Sequence, residues 1–382
     1  MQRALRVTLC CWLLLVACGS DQPTARRESS PAPSVATQAL GQTATASTVS
    51  PSPTRQPATA TTPPSPTRAP TATPTPGPNE FYNPVIDRDF PDPDTVRVGE
   101  TYYAYATNSG GYNIQTARSS DLVNWQLLSD ALPSLPAWAS SGFTWAPEVT
   151  SWDGGEHFMM YFTARHTESG RQCIGAAMAD DPEAAFVPVG EEPLICQLDQ
   201  GGSIDAATFV DDDGARYLLW KNDGNCCGHL TYIYLQKVAA DGLTLEGEPV
   251  PLITNDQYWE GGLVEAPTLW KHDGRYYLFY SANSYSGSAY AIGYAVADRV
   301  LGPYTKPASD PLLSTDFQAG AAIGPGGQDI AVDDADQTWL VYHSWNPTVA
   351  YRRMMIDELL WEDARPVVKG PDIGPQPKPV DQ

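Results

Sequence analysis

Between residues 90 and 362 short runs of alternating apolar and polar residues recur, bounded by Gly, Asp or Pro, with no convincing stretch of helical periodicity. Five times a segment carrying an acid or amide leads through a turn into an aromatic-rich strand. The first members are PDPDTVRV (91–98), APEVTSW (146–152), SIDAATFV (203–210), VEAPTLW (264–270) and GGQDIAV (326–332). Their partners are YYAYAT, FMMYFT, YLLWKN, YYLFYS and WLVYHS. Asp153-Gly154, Asp213-Gly214 and Asp273-Gly274 mark hairpin turns, because glycine accepts positive φ. Four strand-like runs per unit, repeated with a period near sixty, predict an all-β chain folded as a five-bladed β-propeller with four-stranded blades.

In a propeller the first strand of every blade lines the central channel, so residues far apart in the chain become neighbours. The alignment sets Asp92, Glu148, Asp205, Glu265 and Gln328 at corresponding positions. A single acid there is readily explained as a turn cap or an acceptor for a backbone amide. Several carboxylates at one channel mouth perturb one another's pKa values, which acid–base chemistry requires and folding does not.

Outside the repeat the pattern changes. Arg3 and Arg6 precede LCCWLLLVA, an apolar run too short to span a bilayer, so residues 1–17 read as an export signal. Leu15-Val16-Ala17-Cys18 resembles a bacterial lipobox, which implies lipidation of Cys18 and a place at the extracellular face of the cell envelope. Residues 18–79 are dominated by Pro, Thr, Ser and Ala and cannot build a core, so a disordered linker is expected. At ~3.1 Å per residue it reaches up to roughly 190 Å from the anchor. The propeller is expected over 80–372, with a tail at 373–382.

Charge and cysteines narrow the partners. With 45 acidic against 23 basic residues and a net charge of −22, the chain repels nucleic acid and anionic polymers. A neutral polysaccharide meets no such barrier. An exported domain can keep disulfides. Cys173 and Cys196 bracket the outer strands of the second unit and are expected to pair, leaving Cys226 and Cys227 in a loop, since adjacent cysteines bridge only with strain. No spacing suits zinc, and Asp211, Asp212 and Asp213 read as a polar hairpin tip.

The segments DFPDPDTVRVGETYYAYAT, SIDAATFVDDDGARYLLW and VEAPTLWKHDGRYYLFYS, with WAPEV, GPGGQDIAV, WLVYHSW and RRMMIDELLW, resemble glycoside hydrolase family 43 over nearly all of residues 80–370. The NDPNG and RDP segments of related fructan hydrolases are absent. The resemblance implies a five-bladed enzyme that hydrolyses arabinose- or xylose-containing plant polysaccharides with inversion, and a monomeric domain is expected. By position it implies Asp92 as general base, Glu265 as general acid and Asp205 as the carboxylate that orients and tunes the acid, with Asp94 the alternative base. Inversion itself demands a base on one face of the sugar and an acid on the other, ~6.5–9.5 Å apart. The expected substrate is an α-linked arabinan or arabinoxylan side chain, with β-D-xylosides as the alternative and a non-catalytic sugar-binding propeller as the reading from another class.

Substrate contacts are expected from Trp145 as an aromatic platform, from Arg352 with Arg353 as its rival, and from Gln328. Trp220, Trp259 and His343 are weaker candidates. Gln328 stands where many relatives carry a histidine tied to a water-coordinated channel calcium. A neutral amide is a poor anchor for that ion, so no cofactor and no catalytic metal are expected.

Overall fold

The computed structural model describes residues 76–307, 309–317 and 322–380. The expected signal segment, the lipidation site Cys18 and nearly all of the linker lie outside these residues.

Blade one comprises β2 (Asp94–Val98), β3 (Thr101–Ala106), β4 (Gln115–Ser119) and β5 (Gln126–Leu127), after a short β1 (Glu80–Phe81). Blade two comprises β6 (Ala139–Trp152), β7 (His157–His166), β8 (Gln172–Ala179) and β9 (Val187–Val189). Blade three comprises β10 (Ser203–Val210), β11 (Arg216–Asn222), β12 (Tyr232–Val238) and β13 (Leu245–Thr254). Blade four has β14 (Val264–His272), β15 (Arg275–Ala282) and β16 (Ala291–Ala297), and its outermost position is held only by isolated bridges, Ile292 to Leu313 and Val296 to Thr305. Pro303, Pro307 and Pro311 in that outer segment lack the amide donors that a ladder needs. Blade five comprises β17 (Ile323–Val332), β18 (Thr338–Trp345), β19 (Arg352–Glu362) and β20 (Arg365–Val368). Pairing within every blade is antiparallel and sequential.

The second strands are buried almost end to end because each lies between two neighbouring blades. Alternate residues serve alternate neighbours, as a period of two requires. Tyr103 and Tyr105 pack with Met160 and Phe162 of blade two, whereas Tyr102 and Ala104 pack with Trp339 and Val341 of blade five. Met159 and Tyr161 meet Leu218 and Trp220, Leu219 meets Leu278 and Tyr280, and Tyr277 and Phe279 meet Leu340 and Tyr342. Five apolar seams result, one between each pair of adjacent blades. At about 1.5–3 kcal/mol for each large side chain removed from water, these seams hold the ring together.

The ring closes at blade five. Residues 80–90 run beside β19, with Phe90 N donating to Arg352 O at 2.8 Å and Asn83 Nδ2 donating to Ile356 O at 2.7 Å. The segment read as a tail contains β21 (Gln376–Pro377), which pairs with β1. Cys173 and Cys196 are bridged, with 4.7 Å between their Cα atoms. Contrary to expectation Cys226 and Cys227 are also bridged, to each other. A tight turn in which Cys227 N and His229 N both donate to Gly224 O at 3.0 Å gathers that loop and brings the two thiols together.

Candidate active site

One residue in the left-handed region stands just before β2, Asp92 (φ 51°), and one lies within each of the other inner strands: Ala146 (38°), Asp205 (57°), Ala266 (49°) and Gly327 (57°). In blades two to five the ladder register breaks here. Such kinks re-aim side chains at functional rims. They also supply the true equivalence of the five repeats, which differs from the alignment of acids. Asp92 and Asp205 occupy the kink itself. Glu265 precedes it by one residue, Gln328 follows it by one, and Glu148 follows it by two, level with Asp94 and Asp329.

The result is two layers. In the upper one Asp92, Asp205 and Glu265 share a cavity of about 370 Å³ with Trp145, Lys221, Asp223, Cys226, Tyr285, Tyr290 and Arg352. In the lower one Asp94, Glu148 and Asp329 line the deeper channel with Thr268 and Gln328. The lower acids are structural staples between blades. Asp94 Oδ2 accepts from Val149 N, Glu148 Oε1 from Thr208 N, and Asp329 Oδ2 from Thr95 N, each at 2.8 Å. Burial and mutual repulsion raise Asp94 well above the ordinary carboxylate range. Burial, then Asp329, lifts Glu148 to about 7, and burial lifts Asp329 to about 6.

Asp92 is the most heavily partnered of the three acids in this cavity. Thr107 Oγ1 donates to its Oδ2 at 2.7 Å, and Arg352 Nη1 donates to Oδ1 at 3.2 Å. His343 Nδ1 lies 3.1 Å from its backbone N and 3.2 Å from Oδ1. Burial alone would raise this carboxyl, but Arg352, His343 and Thr107 together hold it far below its usual range. A Cβ at Gly327 would fall 2.6 Å from His343 Nδ1 and 2.7 Å from Asp92 Oδ1, so only glycine fits beneath the pair.

The opposite side carries a different electrostatic arrangement. Asp205 Oδ2 accepts from Ala266 N at 2.9 Å, and burial, then the charge of Glu265, lifts its carboxyl to about 8 against the opposing pull of Lys221. Lys221, fully buried, donates from Nζ to Glu265 Oε2 at 2.8 Å and stands 4.0 Å from Asp223. Desolvation works against this ammonium, but Glu265, Asp205 and Asp223 raise it overall. The cavity thus sets an ionised carboxylate, at Asp92, against an Asp205 carboxyl that holds its proton near neutral pH beside Glu265.

Of the expected substrate contacts, Trp145 and Arg352 line the cavity, and the Arg352 guanidinium lies 4.8 Å over the Tyr285 ring. Arg353, its rival, is buried on the other face of β19. Trp220 is core, and Trp259 packs over Gly293 and Tyr280. Gln328 does not reach the upper cavity. Its Oε1 accepts from Ser281 Oγ at 2.7 Å and its Nε2 donates to Ala266 O at 2.6 Å, so it ties blade four to blade five. Both amide atoms of Gln328 are thus engaged with protein groups. Among the described residues no group of three or more His, Cys, Asp or Glu is arranged to hold a metal ion.

A sequence profile described as Glycosyl hydrolases family 43 matches residues 81–366. The chain belongs to this family. A crystal structure of a thermostable family-43 glycoside hydrolase superposes with a TM-score of 0.73 at 34% identity, covering 79% of this chain and all of that one. Among curated proteins, a xylan 1,3-beta-xylosidase from Vibrio sp is 28% identical over 68% of this chain and 49% of its own length. An extracellular endo-alpha-(1->5)-L-arabinanase 2 of Bacillus subtilis (strain 168) is 26% identical over 60% of this chain and 52% of its own. The chain thus spans about half the length of these two curated relatives. These two family relatives carry different names, one a xylosidase and one an arabinanase.

Proposed function

We propose that this family 43 enzyme removes terminal pentosyl units from plant polysaccharide side chains with inversion, L-arabinofuranosyl units first. The observation that carries the reading is the single cavity in which an ionised Asp92 stands with Glu265 and with Asp205, whose carboxyl is lifted to about 8. In this mechanism Asp92 takes a proton from water as the water oxygen bonds to the anomeric carbon. Glu265 gives its proton to the glycosidic oxygen as the carbon–oxygen bond breaks on the opposite face. Asp205 holds its proton near neutral pH beside Glu265, and Arg352 keeps Asp92 ionised. Trp145 and Tyr285 offer ring faces for the sugar. The exported, lipid-anchored location implied by the N-terminal sequence suits an enzyme working on an external polymer.

A second reading, β-D-xyloside hydrolysis, is favoured by the xylosidase name of the Vibrio relative. The purified enzyme assayed on an aryl α-L-arabinofuranoside and an aryl β-D-xyloside separates the two, and xyloside cleavage without arabinoside cleavage ends the first. Glu265→Gln should lower kcat on polymer by ~10²–10⁴-fold, with a smaller loss on an aryl glycoside whose leaving group needs no protonation. Asp92→Asn should lose both activities. A wild type that binds arabinan yet hydrolyses no pentoside marks the chain as a binding propeller.

A further inference from the structure

One residue lining the cavity belongs to a disulfide, and the mechanism makes no use of it. Cys226, exposed and bridged to Cys227, lines the same cavity as Asp92, Asp205 and Glu265. The bridge sits in the turn after β11, directly beyond Lys221 and Asp223. Several contacts fix it. Asp223 N donates to Gly202 O at 3.0 Å, and the loop closes onto Gly201, where a Cβ would fall 2.5 Å from Asp223 O and 3.2 Å from Cys226 Sγ. From blade two, Arg171 places Nη1 3.3 Å from Cys226 Sγ and 2.6 Å from Cys227 Sγ. The other bridge gives a contrast within the molecule: Cys173 is wholly buried and takes no part in lining the cavity.

A disulfide is polarizable, has no hydrogen to donate and accepts hydrogen bonds only weakly. A sugar hydroxyl turned toward such a surface would lose its water partners without replacement. The carbon–hydrogen side of a sugar ring loses nothing there and gains contact. Asp92, Lys221, Glu265 and Arg352 offer the hydrogen-bonding positions elsewhere in the same cavity. We propose that the Cys226–Cys227 bridge is a specificity-determining wall, a sulfur face that packs against the carbon–hydrogen side of the bound pentosyl ring and discriminates furanosyl from pyranosyl shape. The proposal rests on the pentosidase reading of the cavity.

The test uses the full chain with Cys226→Ala and Cys227→Ala, kinetics on both aryl pentosides, and a melting curve. KM should rise by roughly 5–20-fold with kcat within about 3-fold, and the ratio of kcat/KM between the two pentosides should change. Reduction of the native enzyme with a water-soluble phosphine is the second measurement. The exposed pair should open first, counted by alkylation and mass spectrometry, with the same rise in KM and recovery on reoxidation. An unchanged KM and an unchanged ratio in both experiments overturn the proposal, and the phosphine experiment decides alone should the variant fail to fold. If native enzyme cleaves neither pentoside, the catalytic reading fails separately. Calorimetric affinity for arabino- and xylo-oligosaccharides then reads the wall, and equal affinities before and after reduction overturn it.

Discussion

The residue that most changes the chemistry of the cavity is Lys221. The proposed mechanism asks Glu265 to hold its proton until the glycosidic oxygen takes it, yet an ammonium donates directly to this carboxyl. Asp205, lifted to about 8 by burial and then by the charge of Glu265, is opposed by that cation. Removing a cation disfavours the ionised form of its neighbours. Lys221→Met should therefore move the alkaline limb of the kcat/KM profile upward by on the order of 1 pH unit while kcat falls, because Glu265 loses the contact that orients it. A limb that stays in place would show that Lys221 only fills space. The sequence made Asp92, Asp205 and Glu265 visible because acids interrupt otherwise apolar strand starts. It hid Lys221 and gave His343 only as a weak substrate contact, since both stand in YLLWKN and WLVYHS where a polar residue reads as the wet end of a strand. Both act on carboxylates some 44 and 251 positions away in the chain.

At the scale of the strand, a one-residue slip decides which layer a side chain enters, because successive residues face opposite ways. Gln328 follows its kink by one residue and spans two blades, whereas Glu265 precedes its own and enters the cavity. Alignment by residue type could not see this. The left-handed kink is set by backbone conformation, and it is filled by Asp, Ala or Gly in different blades. The staples below the kinks have their own energetics. Asp329 accepts from both N and Oγ1 of Thr95, joining blade five to blade one. Thr95→Val keeps the side-chain shape and the backbone donor but removes the hydroxyl, and should cost about 1–2 kcal/mol, read as a lower urea midpoint. A loss no greater than that of an exposed Thr→Val control would remove this staple from the account of ring closure.

At the scale of the molecule, the buried acids make stability depend on pH. Asp205 (about 8), Glu148 (about 7), Asp357 (about 7) and Asp329 (about 6) all have folded values above their ordinary ones, burial being the first cause in each. A carboxyl raised on folding contributes its stability fully below its unfolded pKa, and loses it as pH climbs through the folded value. The window is therefore roughly pH 4 to 8. Asp92, depressed by its partners, acts in the opposite sense but only at much lower pH. The melting temperature should be lower at pH ~8 than at pH ~5 by ~5 °C or more, and Asp205→Asn should flatten the slope. A flat profile in wild type would mean that these groups are not buried together. The blade count and the turns were legible because they depend on local alternation and glycine. The incomplete fourth position of blade four was not, since nothing in a prolyl segment says whether it lies along an edge or merely near it.

The pairing of β1 with β21, and of Asn83 with β19, brings both ends of the propeller to one blade. The ring is thus indifferent to where its chain is cut: a short peptide across that junction, with a new opening at the Asp213-Gly214 hairpin, would yield a circular permutant in which all five seams and both layers of acids remain whole.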